Sequence, residues 1–278
     1  MQTVLDGVAA ALGQAEMPPL PEHEGVFETV LLLRQEPVFF ADHWARFERG
    51  CRAHGFSPPS DAAEMERMGR ALAGENRVSD GVLRFAAWRD GARIRWRVDV
   101  GPPRRHQARG EMRLICAGTL PSPTPERAFK NLARRPWREA AAAARAAGAD
   151  EALLVDGAGC VVEGGVSNLF FLRAGTLCTP ALELGPLPGV MRGRVLQLAR
   201  ESGWRAEEEA YPVAALALAD EIWMANSLLG LRPVSLLDGR PLPPNRPGLG
   251  RFRTAWIEVH GWDPCVILPR TPTDSGGR

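Results

Sequence analysis

Along residues 25–55 the apolar positions change period. The run “GVFETVLLL” reads as a strand, “RQEP” interrupts it, and “VFFADHWARF” moves to helical spacing. The pattern predicts two strands around “RQEP” and then a helix, N-capped by Asp42 and running through “HWARFERGCRAHG” until Gly55 stops it. A second helix, “DAAEMERMGRALAGE”, precedes a strand pair, “GVLRFAAWRDGARIRWRVDV”, whose turn centres on Asp90-Gly91. “GPPRRHQARG” reads as a loop before a last strand of this half, “EMRLICAG”. The prolines of “TLPSPTPERAF” predict an interdomain linker. An Ala-rich helix, “WREAAAAARAAG”, follows, then strands “EALLVD”, “CVVEGG”, “NLFFL” and “TLCTP”. “GVMRGRVLQLARESG” reads as a helix between Gly189 and Gly203, “EIWMANS” and “LRPVSLLDG” as strands, and “GRFRTAWIEVHG” as the last helix. The expected organisation is an N-terminal unit over 1–118, a linker over 119–127, a C-terminal unit over 128–270 and a disordered tail over 271–278. Interleaved strand and helix signals in both halves give an α/β (α+β) class in two domains.

Composition narrows the function. The 278 residues carry a net charge of +1, without the concentrated basic face that nucleic acids or anionic membranes require. No apolar run reaches membrane-spanning length. The N-terminal “MQTVLDGVAAALGQAEM” lacks the basic region of a signal peptide and reads as a short amphipathic helix. Five scattered cysteines without C-x-x-C spacing read as free thiols of a reducing cytoplasm. The five histidines show no metal-ligand spacing, so no metal site is expected.

In “CVVEGGVSNLFFL” one carboxylate, Glu163, closes an apolar run. Burying it requires a specific partner. Lys130, in “RAFKNLARR” just past the linker, is a candidate Schiff-base lysine, whose amine needs partial desolvation to act near neutral pH. A lysine and a buried acid are what pyridoxal phosphate uses: one for its aldehyde, the other to keep its ring nitrogen protonated. No spacing rule demands that pair. The segment “LPGVMRGRV” offers the amides of Val190 and Met191 to an anion at a helix start. Asn226 and Ser227 end a strand, and Arg46 lies on the first helix. P-loop, G-x-G-x-x-G and G-x-S-x-G patterns are absent.

In order and spacing, “GVFETV”, “HWARF”, “FKNLARR”, “GADEALLVDGAGCVVEGGVSNLFFL”, “TLCTPAL”, “LPGVMRGRVLQLARESG” and “ADEIWMANSLLGLRPV” resemble the fold-type IV pyridoxal-phosphate enzymes. That family includes branched-chain and D-amino-acid aminotransferases and 4-amino-4-deoxychorismate lyases. The resemblance runs from about Gly25 to Val234. It implies a smaller N-terminal and a larger cofactor-binding C-terminal domain, pyridoxal 5'-phosphate between them, and a homodimer acting on a small molecule. It further implies that Lys130 bonds the cofactor, that Glu163 meets its ring nitrogen, and that the glycines after Glu163 leave room for the ring. Arg46, the amides of Val190 and Met191, and Ser227 with its neighbour Asn226 would hold the phosphate.

“FET”, with Thr29 beside the substrate, and “NSLLGLRPV” resemble the lyases, which make 4-aminobenzoate and pyruvate. A branched-chain or D-amino-acid aminotransferase is the alternative, and a non-catalytic binding protein the third reading. The chain departs from the family pattern at Met191, where a threonine is usual, and at Ala133, where asparagine is usual. The neighbourhood after the lysine, “NLARR”, lacks the tyrosine of the branched-chain enzymes. “WRDGARIRW” replaces a Gly/Arg-rich loop, leaving Arg89, Arg93 and Arg95 as candidates for the substrate carboxylate.

Overall fold

A computed structural model describes residues 1–11, 19–102 and 110–265; the expected tail lies outside them. The chain builds two sheets. The first holds β1 (Gln2–Leu5), β2 (Val8–Ala11), β3 (Gly25–Leu33), β4 (Glu36–Pro37), β5 (Gly81–Asp90) and β6 (Arg93–Gly101), in the antiparallel order β2-β1-β6-β5-β3-β4. Residues 2–11, expected within a short amphipathic helix, thus form a hairpin, and residues 12–17 of that expectation lie outside the described residues. Leu5 pairs with Val8 around Asp6-Gly7, both at positive φ (50° and 84°). An Asp-Gly pair of that kind gives the turn whose twist suits a two-residue hairpin.

Two helices, α1 (Phe40–Ala53) and α2 (Ala62–Glu75), cover one face of this sheet. Val26, Val30 and Leu32 of β3, with Leu83, Phe85 and Ala87 of β5, pack there against Phe40, Trp44, Phe47 and Cys51. Asp61 caps α2, its side chain accepting from the Glu64 amide. Asp42 does not cap α1. The chain turns at Phe39 in the left-handed region and enters the helix at Phe40, which leaves Asp42 in the first turn. Its carboxylate instead accepts a 2.8 Å bond from Arg194 Nε, tying α1 to the C-terminal half.

The second sheet is nine-stranded. It contains β7 (Met112–Thr119), β8 (Glu151–Val155), β9 (Val161–Gly164), β10 (Asn168–Arg173), β11 (Thr176–Pro180), β12 (Arg205–Glu209), β13 (Glu221–Asn226), β14 (Gly230–Leu237) and β15 (Arg240–Pro241). Its order is β12-β11-β10-β13-β14-β7-β8-β9, with β15 beside β14. The segment “EMRLICAG”, expected as the last strand of the first half, is β7. It lies parallel to both β8 and β14. Leu114 joins Leu153, Phe171 and Met224 in the apolar layer of this second sheet, so its burial belongs there. Helices α3 (Arg135–Ala146), α4 (Val190–Glu201) and α5 (Pro247–His260) complete this half.

Candidate active site

The segment after the proline-rich connection lays Lys130 against the first sheet. The Phe27 amide donates to Lys130 O (2.9 Å) and the Leu132 amide to Gly25 O (2.9 Å), so residues 130–132 extend the β3 edge. Gly50 of α1 permits this approach, because a Cβ there would lie 2.9 Å from Val26 and 3.3 Å from Phe129. Lys130 Nζ rests 4.8 Å from the Phe27 ring centroid. Burial pushes its amine down to about 7, helped by Arg46, Arg134 and Arg84 and opposed by Glu28. A substantial fraction is therefore neutral and nucleophilic near neutral pH.

Glu163 is buried at the end of β9. Trp137 Nε1 donates to its Oε1 (2.8 Å) and the Leu187 amide to its Oε2 (2.9 Å). Each oxygen keeps acceptor capacity for a further donor. Burial nonetheless raises its carboxyl above the usual range, while Arg134, those two donors and Arg127 pull it down. Arg134 and Arg127 flank the Trp137 ring, at 5.0 and 5.7 Å from its centroid. Of the two glycines after Glu163, Gly164 is crowded by another group of the protein. A Cβ on Gly164 would meet Glu151 Oε1 at 2.3 Å, so the missing side chain is space for a second buried carboxylate. Glu151 accepts from the Val166 amide and from Ser167 Oγ, each at 2.8 Å, and holds the turn between β9 and β10.

The start of α4 lies across from α1. Gly189 precedes it, and a Cβ there would sit 2.1 Å from Asn168 Oδ1. Among the described residues, the amides of Val190 and Met191 have no protein acceptor. Two aligned free amides at a helix N-terminus suit an anion. The Met191 side chain points away, into the apolar layer with Val195 and Trp223. Arg46 donates through Nη1 to Pro188 O (3.0 Å), which places its guanidinium beside this helix start. A cleft of about 380 Å³ between α1 and α4 is lined there by Arg46, Pro188, Gly189 and Val190.

Arg46 has a partner that pattern reading missed. Its Nε and Nη2 donate to Glu28 at 2.7 and 2.8 Å, and His43 Nδ1 lies 2.7 Å from the same carboxylate. Burial would raise Glu28, but Arg46 and His43 outweigh it and hold the carboxyl well below its usual range. The signal was present: Glu28 occupies the apolar phase of β3, between Val26 and Val30, ahead of a His and an Arg three residues apart on a helix. Ser227 Oγ lies 3.2 Å from His43 Nε2. Asn226 is committed elsewhere, its Oδ1 accepting from the Leu228 and Leu229 amides and its Nδ2 donating to Ser167. It shapes the turn that presents Ser227, with one Nδ2 hydrogen spent on Ser167.

The opposite face of the first sheet looks toward Lys130. Thr29 pairs across strands with Arg84, two residues along from Phe27, and Arg84 pairs with Asp99. Arg84 Nη2 and Arg97 Nε both donate to Asp99 Oδ2, at 2.8 and 3.0 Å. Of the three arginines expected there, Arg89 donates to His54 O (3.1 Å), Arg95 pairs with Asp6, and Arg93 is exposed at the start of β6. Strand alternation, not proximity in sequence, selects Arg84 and Arg97.

A near-neutral amine, a carboxylate with spare acceptor capacity and two free helix-start amides beside an arginine fit a cofactor with an aldehyde, a basic ring nitrogen and a phosphate. Among the described residues no group of three His, Cys, Asp or Glu side chains is placed to hold a metal ion. Nor is any helix among them long and apolar enough to cross a membrane. Comparison with known proteins agrees with that fit. A putative branched-chain-amino-acid aminotransferase of Methanocaldococcus jannaschii is 39% identical over 94 residues, 34% of this chain and 33% of that protein. That match spans about a third of the relative's length. An aminodeoxychorismate lyase of Bacillus subtilis is 27% identical over 237 residues, 77% of this chain and 78% of that one. A hypothetical aminotransferase from Mycobacterium tuberculosis, solved in its PLP-bound form, shares the fold with a TM-score of 0.77, at 24% identity over 92% of this chain and 97% of that one. The amino-transferase class IV family model matches residues 25–237, and the chain accordingly belongs to this family of pyridoxal-phosphate enzymes.

Proposed function

We propose that this chain is an aminodeoxychorismate lyase, releasing pyruvate and 4-aminobenzoate. The observation that carries the reading is the pairing of Thr29 with Arg84 on the face where Lys130 packs. Thr29 is partly open and, among the described residues, its hydroxyl has no protein partner. It is free to meet a substrate, and Arg84 and Arg97, which share the single carboxylate of Asp99, leave a net positive charge on that face that suits an anionic substrate. The long match to the Bacillus subtilis lyase supports the same choice.

Bound pyridoxal phosphate supplies an aldehyde that condenses with the substrate amine and a ring that withdraws electrons from the adjacent carbon. Lys130 would accept and return protons at Nζ, for which a value near 7 is suited. Glu163 holds the ring-nitrogen proton. Arg46, the amides of Val190 and Met191, and Ser227 anchor the phosphate. The protein is read as a cytoplasmic homodimer, which sedimentation of the purified chain tests.

The deciding experiment gives the cofactor-loaded enzyme aminodeoxychorismate alone and counts turnovers. A lyase continues without a keto acid. An aminotransferase on branched-chain or D-amino acids, the reading that the Methanocaldococcus jannaschii relative favours, stops after one equivalent and is rescued by 2-oxoglutarate or pyruvate. Thr29→Val slows elimination while leaving the cofactor absorbance near that of the parent.

A further inference from the structure

We propose that His43 is a positioning residue that takes up a proton when the phosphate binds, and so turns the Ser227 hydroxyl from the imidazole toward the phosphate. The inference rests on the phosphate being held beside Arg46 and Ser227.

The geometry leaves few choices. Glu28 is fully buried and clamped by both Nε and Nη2 of Arg46, so its carboxylate is ionised and accepts only. His43 Nδ1, 2.7 Å away, must therefore carry a hydrogen in either charge state of the ring. The variable atom is Nε2, which lies 3.2 Å from Ser227 Oγ. In the neutral ring Nε2 accepts, and the single hydroxyl hydrogen of Ser227 is spent on it. In the charged ring Nε2 donates to Oγ, and that hydrogen is freed. A phosphate dianion also only accepts, so Ser227 cannot serve both acceptors with one hydrogen.

The groups facing His43 are Glu28 from β3, Arg46 on α1 and Lys130 from the segment that follows the proline-rich connection. Burial, with Arg46 and Lys130, lowers His43 below its ordinary value; Glu28 works against them. The ring is thus neutral near neutral pH before a dianion arrives. A phosphate beside Ser227 reverses the balance by adding negative charge and an acceptor. The proton comes from solvent to Nε2, the Ser227 O–H rotates from Nε2 to a phosphate oxygen, and no other bond changes. Because the bound state holds one proton more, phosphate affinity falls as pH rises from His43's value in the free protein to its value in the complex. Over that window the loss is about tenfold per pH unit.

The test uses 4-deoxypyridoxine 5'-phosphate, a cofactor analogue without the aldehyde, so that Lys130 forms no bond and contributes no chemistry of its own. Titration calorimetry near pH 7.5, in buffers of different ionisation enthalpy, counts protons; the phosphate is then mostly the dianion, its second pKa being about 6. The parent should take up about one proton per site. His43→Asn keeps a donor near Nδ1 for Glu28 but has nothing to titrate, and should take up about none, with an affinity flat in pH. Ser227→Ala, which keeps the imidazole, should lose the uptake as well. Equal uptake in His43→Asn, or none in the parent while Arg46→Gln weakens binding, overturns the inference. Unchanged affinity in a folded Arg46→Gln protein overturns the underlying phosphate reading instead.

Discussion

The indole N–H of Trp137 lies 2.8 Å from Oε1 of Glu163, in the same kind of contact that Trp223 makes with Glu221 at 2.9 Å. The two carboxylates then diverge. Glu221 also accepts from the Gly248 and Leu249 amides, caps the start of α5 and has three donors. Among the described residues Glu163 has only the Leu187 amide as donor besides its tryptophan, and burial leaves its carboxyl raised. Glu221, a structural carboxylate, is thus well supplied with donors. Glu163, near Arg134, keeps acceptor capacity, which suits its proposed role of meeting a protonated ring nitrogen.

Removing the indole donor should therefore reach the chemistry. Trp137→Phe leaves Oε1 without a partner, a loss of about 1–3 kcal/mol for a buried acceptor, and raises the Glu163 carboxyl further. The cofactor should still bind, while the rate of its reaction with substrate amine falls roughly tenfold or more. Stopped-flow absorbance of the loaded enzyme measures both. Unchanged rates would show that Trp137 does not support Glu163.

Lys130 gives a pH signature. With its amine lowered to about 7 by burial and three arginines, the reactive neutral form grows as pH rises through 7, not through the ordinary lysine range. The rate of borohydride-fixed cofactor incorporation should follow that titration and level off above pH 8. Lys130→Ala should abolish the fixed label. A rate still climbing tenfold per unit at pH 9 would contradict the lowered amine.

Arg46, proposed to hold the phosphate, is also structural, since two of its nitrogens serve Glu28. Arg46→Ala strands a fully buried carboxylate, which costs about 3–5 kcal/mol, and should lower the melting temperature by about 10 °C or more even without cofactor. The double variant Arg46→Ala, Glu28→Gln should recover part of that loss. Calorimetric scans of the cofactor-free proteins decide it.

Gly164→Ala tests what the glycine makes room for. The new methyl would meet Glu151 Oε1 at 2.3 Å and Met224 Cε at 2.5 Å, so stability should fall in the cofactor-free protein too. Glu151 itself is pushed up to about 7, first by burial and then by Glu163, against its bonds to Val166 and Ser167. Its folded value lies above the unfolded one, so the folded state binds the extra proton between about 4.5 and 7. Stability from this group is present at low pH and is lost as pH rises through that window. Glu151→Gln should flatten that part of the stability profile, as denaturant titrations at several pH values would show.

How much of this was legible before folding differs from residue to residue. Lys130, Glu163 and the start of α4 stand out in one dimension, because each signal is local: a proline-rich connection, an acid ending an apolar run, a glycine before a helical period. The same locality located the strands, since alternation and turn residues act over a few positions. The Asp6-Gly7 turn is also legible but is outweighed by the alanine-rich stretch after it, where propensity favours helix and pairing with β1, itself held by β6, decides otherwise.

From β3 onward the order of elements, the family and the residue types of the site were therefore determined by the sequence alone. Tertiary structure decided partners. β7 joins the second sheet because its neighbours are β8 and β14, one of them more than a hundred residues later. Glu28 becomes a clamp for Arg46 and His43 only when β3 lies under α1, and Arg84 rather than Arg89 faces Lys130 because strand pairing fixes which side chains share a face. Gly164 is a glycine because of Glu151, thirteen positions earlier and on another strand. Apolar period and chain-breaking residues are short-range properties that a sequence displays directly. Desolvation, hydrogen-bond supply and charge pairing depend on distances that exist only once the sheets have formed.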